Sequence, residues 1–176
     1  MKVAYADPPY LGCCGLYGHR HDDGCWNDVA THRALIDRLT REFPGGWALS
    51  ASTPSLRTLL PLCPDDARVA SWSKSFCAFK RGVRPAFAWE AVIFRGGRNK
   101  NHPPPVKGGK QTTPKDFIVH PITLRKGLTG AKPEAVCAWI LDLLNVQAGD
   151  KVVDLFPGTG IMGRVAAKRT AIEGAV

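Results

Sequence analysis

The chain is short of acid: 15 aspartates and glutamates face 24 lysines and arginines, a net charge of +9 over 176 residues. It has no apolar run approaching membrane-spanning length, which excludes a helical span of the bilayer. Lys2 leads straight into strand-like sequence, so no signal peptide is expected and the expected location is the cytoplasm. Cys13, Cys14, His19, His21 and Cys25 match no standard zinc-finger spacing, and no metal site is assigned to them. The six cysteines (13, 14, 25, 63, 77 and 137) then read as reduced thiols rather than a disulfide frame. Acid is scarcest from Lys80 to Lys132, where twelve cations meet only Glu90 and Asp116. A one-sided block of that kind suits a polyanionic partner, because each phosphate it neutralises releases counterions.

What is present starts with the opening stretch, Lys2-Val3-Ala4-Tyr5-Ala6-Asp7-Pro8-Pro9-Tyr10. Five β-prone residues of alternating character run into a carboxylate, two prolines and an aromatic ring. Neither proline can donate to a ladder, and each pushes the residue before it out of the α region. The strand therefore stops in a rigid, extended corner at its carboxyl end, where open α/β sheets place ligands. Asp7, the proline carbonyls and the face of Tyr10 suit a planar ring bearing an exocyclic amine. Two acceptors take the amine hydrogens while the ring stacks on tyrosine. A lone D-P-P-Y also fits an ordinary strand-ending turn.

A second anchor lies late in the chain. Lys151-Val152-Val153-Asp154-Leu155-Phe156-Pro157-Gly158-Thr159-Gly160-Ile161-Met162-Gly163 reads as strand, glycine-rich turn and helix start. Gly158 and Gly160 permit positive φ, and the amides opening the helix make an electropositive pocket for a carboxylate or phosphate. By itself the segment is equally a tight turn between strand and helix.

Together, D-P-P-Y and Asp154-x-Phe156-x-Gly158-x-Gly160 resemble the amino-methyltransferases that use S-adenosylmethionine to modify exocyclic amines of nucleobases. The order is that of the subclass often called β, with the catalytic motif first and the cofactor motif last. Gly127-Leu128-Thr129-Gly130-Ala131-Lys132-Pro133-Glu134 adds the Lys-Pro that in this family opens a helix lining the cofactor pocket. The resemblance implies one α/β domain over residues 1–176: a shortened Rossmann-like methyltransferase sheet of about five to seven strands with flanking helices. It implies a catalytic corner of Asp7, Pro8, Pro9 and Tyr10. The cofactor would touch Ala6, Asp7, Lys132, Pro133, Asp154, Phe156, Pro157, Gly158, Thr159 and Gly160. Adenine in DNA is the expected substrate, since a leading Asp rather than Ser favours adenine over cytosine. An RNA base, a protein amide nitrogen, or a non-catalytic nucleic-acid-binding subunit of the same fold are the alternatives. Relatives usually continue with two further strands, the first ending in an acid for the cofactor's ribose. Here the only nearby acid is Glu173, so the Asp154 strand is expected to be exposed on one side, and a homodimer could cover it.

Between the anchors, Asn27 or Asp28 can cap a helix to about Phe43 whose apolar face is Val29, Leu35, Ile36, Leu39 and Phe43. Strands are expected at 47–51, 68–72 and 88–94. Thr53 is expected to cap a short helix with Pro54 at its first position, running through Leu62. A helix from Lys132-Pro133 should bury Val136, Trp139, Ile140, Leu143 and Leu144, and residues 117–119 can form a short strand. The glycine-rich run from Leu11 to Trp26 reads as a lid over a base swung out of its helix. Phe76 and Phe79, among the cations of residues 74–84, can stack on bases or pack inward. Candidate phosphate contacts are Arg20, Lys74, Lys80, Arg81, Arg84, Arg98 and Lys100. The basic loop at about 96–130 occupies the place of the family's target-recognition region, and its small size implies short or degenerate sequence preference.

Overall fold

The computed structural model describes residues 1–13, 26–77, 81–98, 113–123 and 130–172. Within them six strands form one sheet, β1 (Lys2–Ala6), β2 (Gly46–Ala51), β3 (Arg68–Ser73), β4 (Trp89–Gly96), β5 (Phe117–Val119) and β6 (Lys151–Asp154). Their order across the sheet is β5-β3-β4-β2-β1-β6. β1 runs parallel to both its neighbours, β2 and β6, whereas β4 is antiparallel to β2 and β3. Four helices flank the sheet: α1 (Val29–Glu42), α2 (Leu56–Leu59), α3 (Glu134–Leu143) and α4 (Ile161–Thr170).

The sheet separates two apolar layers. On one face Ala4, Ala6, Leu49 and Ile93 meet Leu35, Ile36 and Leu39 of α1 and Leu59 of α2. On the other, Val3, Tyr5, Ala48, Val92 and Phe94 meet Val136 and Ile140 of α3 with Ile161 and Val165 of α4. β1 is therefore covered on both faces. With strands on both sides and helices on both faces, every residue from Val3 to Ala6 is buried. Each fully buried leucine or isoleucine here contributes about 1.5–3 kcal/mol of transfer free energy.

Some local expectations are corrected. Asp28 caps α1 by accepting from the Ala30 amide at 2.9 Å. Val29, however, faces solvent, and its place on the apolar face is taken by His32, which is 1% exposed. The segment after β2 is not one helix capped by Thr53: α2 is a single turn between two 3₁₀ turns. No side chain caps it, and Ser55 Oγ instead donates to the Ser52 carbonyl. Leu143 is only partly buried, while Cys137 and Leu141 join Val136, Trp139, Ile140 and Leu144 in the core.

The connections position the site. β1 leads to α1 on one face, whereas its neighbour β6 leads to α4 on the other. Adjacent parallel strands whose helices leave to opposite faces open a crevice at their carboxyl ends, the switch point of a doubly wound sheet.

Candidate active site

Both sequence anchors border that crevice. The β1–β6 register pairs Lys2 with Lys151 and Tyr5 with Asp154, and the Leu155 amide donates to the Tyr5 carbonyl at 2.9 Å. Asp7 and the turn from Phe156 to Gly160 thus leave neighbouring strand ends. Pro8 and Pro9 are buried, and among the described residues no backbone amide bonds either proline carbonyl. Among the described residues, then, nothing competes with a ligand for either carbonyl.

The late turn is built for an open backbone. Gly158 has φ +47 and Gly160, the residue that caps α4, has φ +71. A Cβ placed on either would meet nothing closer than 3.5 Å, so backbone conformation rather than crowding calls for glycine. Asp154 Oδ1 accepts the Phe156 amide at 3.2 Å and pins the start of the turn. Burial raises the Asp154 carboxyl above its ordinary value, and the negative charge of Asp7 adds to the rise, against the Phe156 amide. A carboxylate whose charge is disfavoured in this way leaves the wall at Asp154 receptive to a cation. The Phe156 ring is steadied edge-on by Trp26, centroids 5.2 Å apart, and Trp26 in turn meets His32.

Asp7 is held from an unexpected direction. Lys132, just ahead of the Pro133 cap of α3, brings Nζ to 2.9 Å from both carboxylate oxygens of Asp7 and to 3.0 Å from the Tyr10 hydroxyl. Glu90, at the start of β4, accepts from the Tyr10 hydroxyl at 2.8 Å and lies 3.3 Å from Lys132 Nζ. Its other oxygen pairs with Lys74 Nζ at 2.7 Å. The Trp72 indole closes the cage, 5.2 Å from Lys74 Nζ and 6.0 Å from Lys132 Nζ. Burial pulls the Lys132 ammonium down, but Asp7, followed by Tyr10 and Glu90, carries it well above the ordinary lysine value. Burial pushes Glu90 up, yet Lys132 and Lys74 outweigh it and hold the carboxyl at about 2. Burial, then Asp7, lifts the Tyr10 phenol well above its ordinary value, so the ring stays neutral.

The remaining predicted positions are spread over the molecule. Lys132 turns its ammonium to Asp7, Tyr10 and Glu90. Lys74 is spent on Glu90, with its side chain 11% exposed. Arg98 follows the far end of β4, beside Gly46 and Leu144, and pairs with Asp150, so it lies at the edge away from Asp7. Arg81 and Arg84 are exposed on the loop leading to β4, at the edge shared with Asp7. Arg20, Lys80, Lys100, Phe79, Glu173, the lid residues from Cys14 to Cys25 and Gly127-Leu128-Thr129 lie outside the described residues, as does most of the basic loop. Among the described residues no cluster of His, Cys, Asp or Glu has the arrangement of a metal site, and no helix is long and apolar enough to cross a membrane. Sequence reasoning missed Glu90 and Trp72. The only signal for Glu90 was its isolation, one of two acids in a basic stretch of the chain.

No protein-family model and no curated relative matches the chain. Solved structures do resemble it. M1.HpyAVI in complex with SAM superposes with a TM-score of 0.56 at 15% identity, covering 97% of this chain and 80% of that one. The Thermus thermophilus protein TTHA0409, assigned as a DNA modification methylase and complexed with S-adenosyl-L-methionine, gives 0.57 at 16% identity over 97% and 81%. The likeness establishes the fold: a mixed α/β, Rossmann-like sheet of the kind these structures share.

Proposed function

We propose that this protein transfers a methyl group from S-adenosylmethionine to the exocyclic amine of a nucleobase in DNA, adenine being favoured by the leading acid Asp7. The observation that carries the reading is the β1–β6 register, with Tyr5 opposite Asp154. It gives D-P-P-Y and the glycine turn a common crevice although they begin about as far apart in sequence as the chain allows. The SAM-bound structures of the same fold support the cofactor.

The crevice fits that cofactor on its own chemistry. The Asp154 carboxylate, which no cation pairs among the described residues, suits a ligand carrying a sulfonium and an ammonium. The turn Phe156-Pro157-Gly158-Thr159-Gly160 ends in the positive pole of α4, which suits a carboxylate. Ala6, Asp7, Pro133, Asp154 and this turn would hold the group. When bound, it supplies an electrophilic methyl carbon whose sulfur departs with the bonding pair. Asp7 and the Pro8 carbonyl accept the two amine hydrogens, which favours a tetrahedral nitrogen and frees its lone pair for attack. Tyr10, tethered through its hydroxyl to Glu90, offers the base a fixed ring to stack on. Buried Pro8 and Pro9 keep the corner from yielding. As the amine nitrogen commits its lone pair it becomes cationic, and its surplus proton then leaves to water. Positioning and fixed charges supply the acceleration.

The test is transfer of labelled methyl to duplex DNA, single strands and RNA, with nucleoside analysis of the product. N6-methyladenine from DNA is the expected result. Label in cytosine, in RNA only, or in no nucleic acid at millimolar cofactor would refute the assignment as stated.

A further inference from the structure

Resting on that reading, we propose that Glu90 is a positioning residue. It offsets the Lys132 ammonium, so that a cation can sit against Asp7 without opposing the charge that develops on the substrate amine. Lys132 Nζ has three hydrogens and four acceptors in reach: both oxygens of Asp7, the Tyr10 hydroxyl and Glu90 Oε2. Asp7 holds the ammonium bidentately, 2.9 Å to each oxygen, while Glu90 Oε2 stands farther off at 3.3 Å. Glu90 therefore offsets the ammonium's charge without displacing it from Asp7 and, through the Tyr10 hydroxyl, fixes the ring on the same side.

The charges explain the need. A nitrogen gaining its fourth bond becomes positive, and an unbalanced ammonium nearby repels it strongly in a partly dry site. Asp7 and Glu90 balance Lys132 and Lys74, so the four-residue cage is neutral. Removing the charge of Glu90 leaves a surplus of one positive charge next to the reacting amine. Removing Lys74 as well restores neutrality.

Four proteins form the test: wild type, Glu90→Gln, Lys74→Met and the double variant, assayed for methyl transfer and for S-adenosylmethionine binding by titration calorimetry. Glu90→Gln is expected to lower kcat tenfold or more, with cofactor Kd and both KM values within twofold. The double variant should regain at least threefold of that loss. A merely structural role predicts the opposite, since deleting a second partner should compound the damage. A double variant as slow as Glu90→Gln, or a loss confined to KM, overturns the proposal. Should Glu90→Gln alone fail to fold, the double variant decides: kcat within fivefold of wild type supports the proposal, and a tenfold loss overturns it. A further readout needs no turnover. In ligand-free protein labelled with ¹⁵N-lysine, Glu90→Gln should shift or broaden the Lys132 ammonium resonance, and an unchanged resonance overturns the proposal. If wild type methylates no nucleic acid, the proposed activity fails, and this resonance alone decides whether Glu90 holds Lys132.

Discussion

Lys132 and Asp7 stand 125 positions apart in sequence yet share two contacts of 2.9 Å. This pairing shapes what single substitutions should do. Asp7→Ala should reduce methyl transfer at least a hundredfold while cofactor Kd, measured by calorimetry, changes less than fivefold. The ammonium left behind keeps Glu90 and Tyr10 as partners, so folding should survive. Glu90 also sets an acid limit. Its folded carboxyl sits at about 2, against 4.5 for the free side chain, held by Lys132 and Lys74 with Tyr10 donating to it. A depressed acid stabilises the fold above its unfolded value and loses that contribution as pH falls toward its folded value. Unfolding midpoints in urea should therefore drop from pH 4.5 to about 2 more steeply in wild type than in Glu90→Gln. Neither lysine partner could be paired with Glu90 from sequence. A cation near a proline reads as a surface or ligand group until strand order brings an acid opposite it. Lys74 misleads for the same reason: it lies in a basic run, but its charge faces inward.

At the level of elements, the strands and helices were largely legible because their signals are local. Two prolines stop β1, Pro44-Gly45-Gly46 ends α1, and glycines open α4. Faces were less legible. The periodicity of α1 fits Val29 as well as His32, and only the packing of Trp26 over the first turn decides that the imidazole is covered. The glycines of the late turn divide by sign. Gly160→Ala should cost about 1 kcal/mol, because φ +71 is left-handed backbone that a Cβ disfavours, and should weaken cofactor binding. Gly163→Ala should stabilise by about 0.5–1 kcal/mol, as it lies inside α4 with open space around the added methyl. Urea denaturation of both variants checks the pair, and equal signs would contradict this account of the turn.

For the whole molecule, charge is as telling as shape. The basic excess was plain in sequence, but its layout was not: Arg95 and Arg98 are neutralised by Asp66 and Asp150. Arg81 and Arg84 stay exposed beside the sheet edge that carries Asp7. Replacing both with alanine should weaken DNA binding and flatten the slope of log K against log salt by about 0.9 for each phosphate no longer neutralised. An unchanged slope would remove these two from the DNA surface. The pairing of β1 with β6 bears also on how the molecule is made. During synthesis, β1 waits for a partner made long after it, so neither half of the cleft has a wall until then. A ribosome stalled before Lys151 would hold a nascent sheet with a bare flank, inert toward cofactor and exposed to proteases and chaperones.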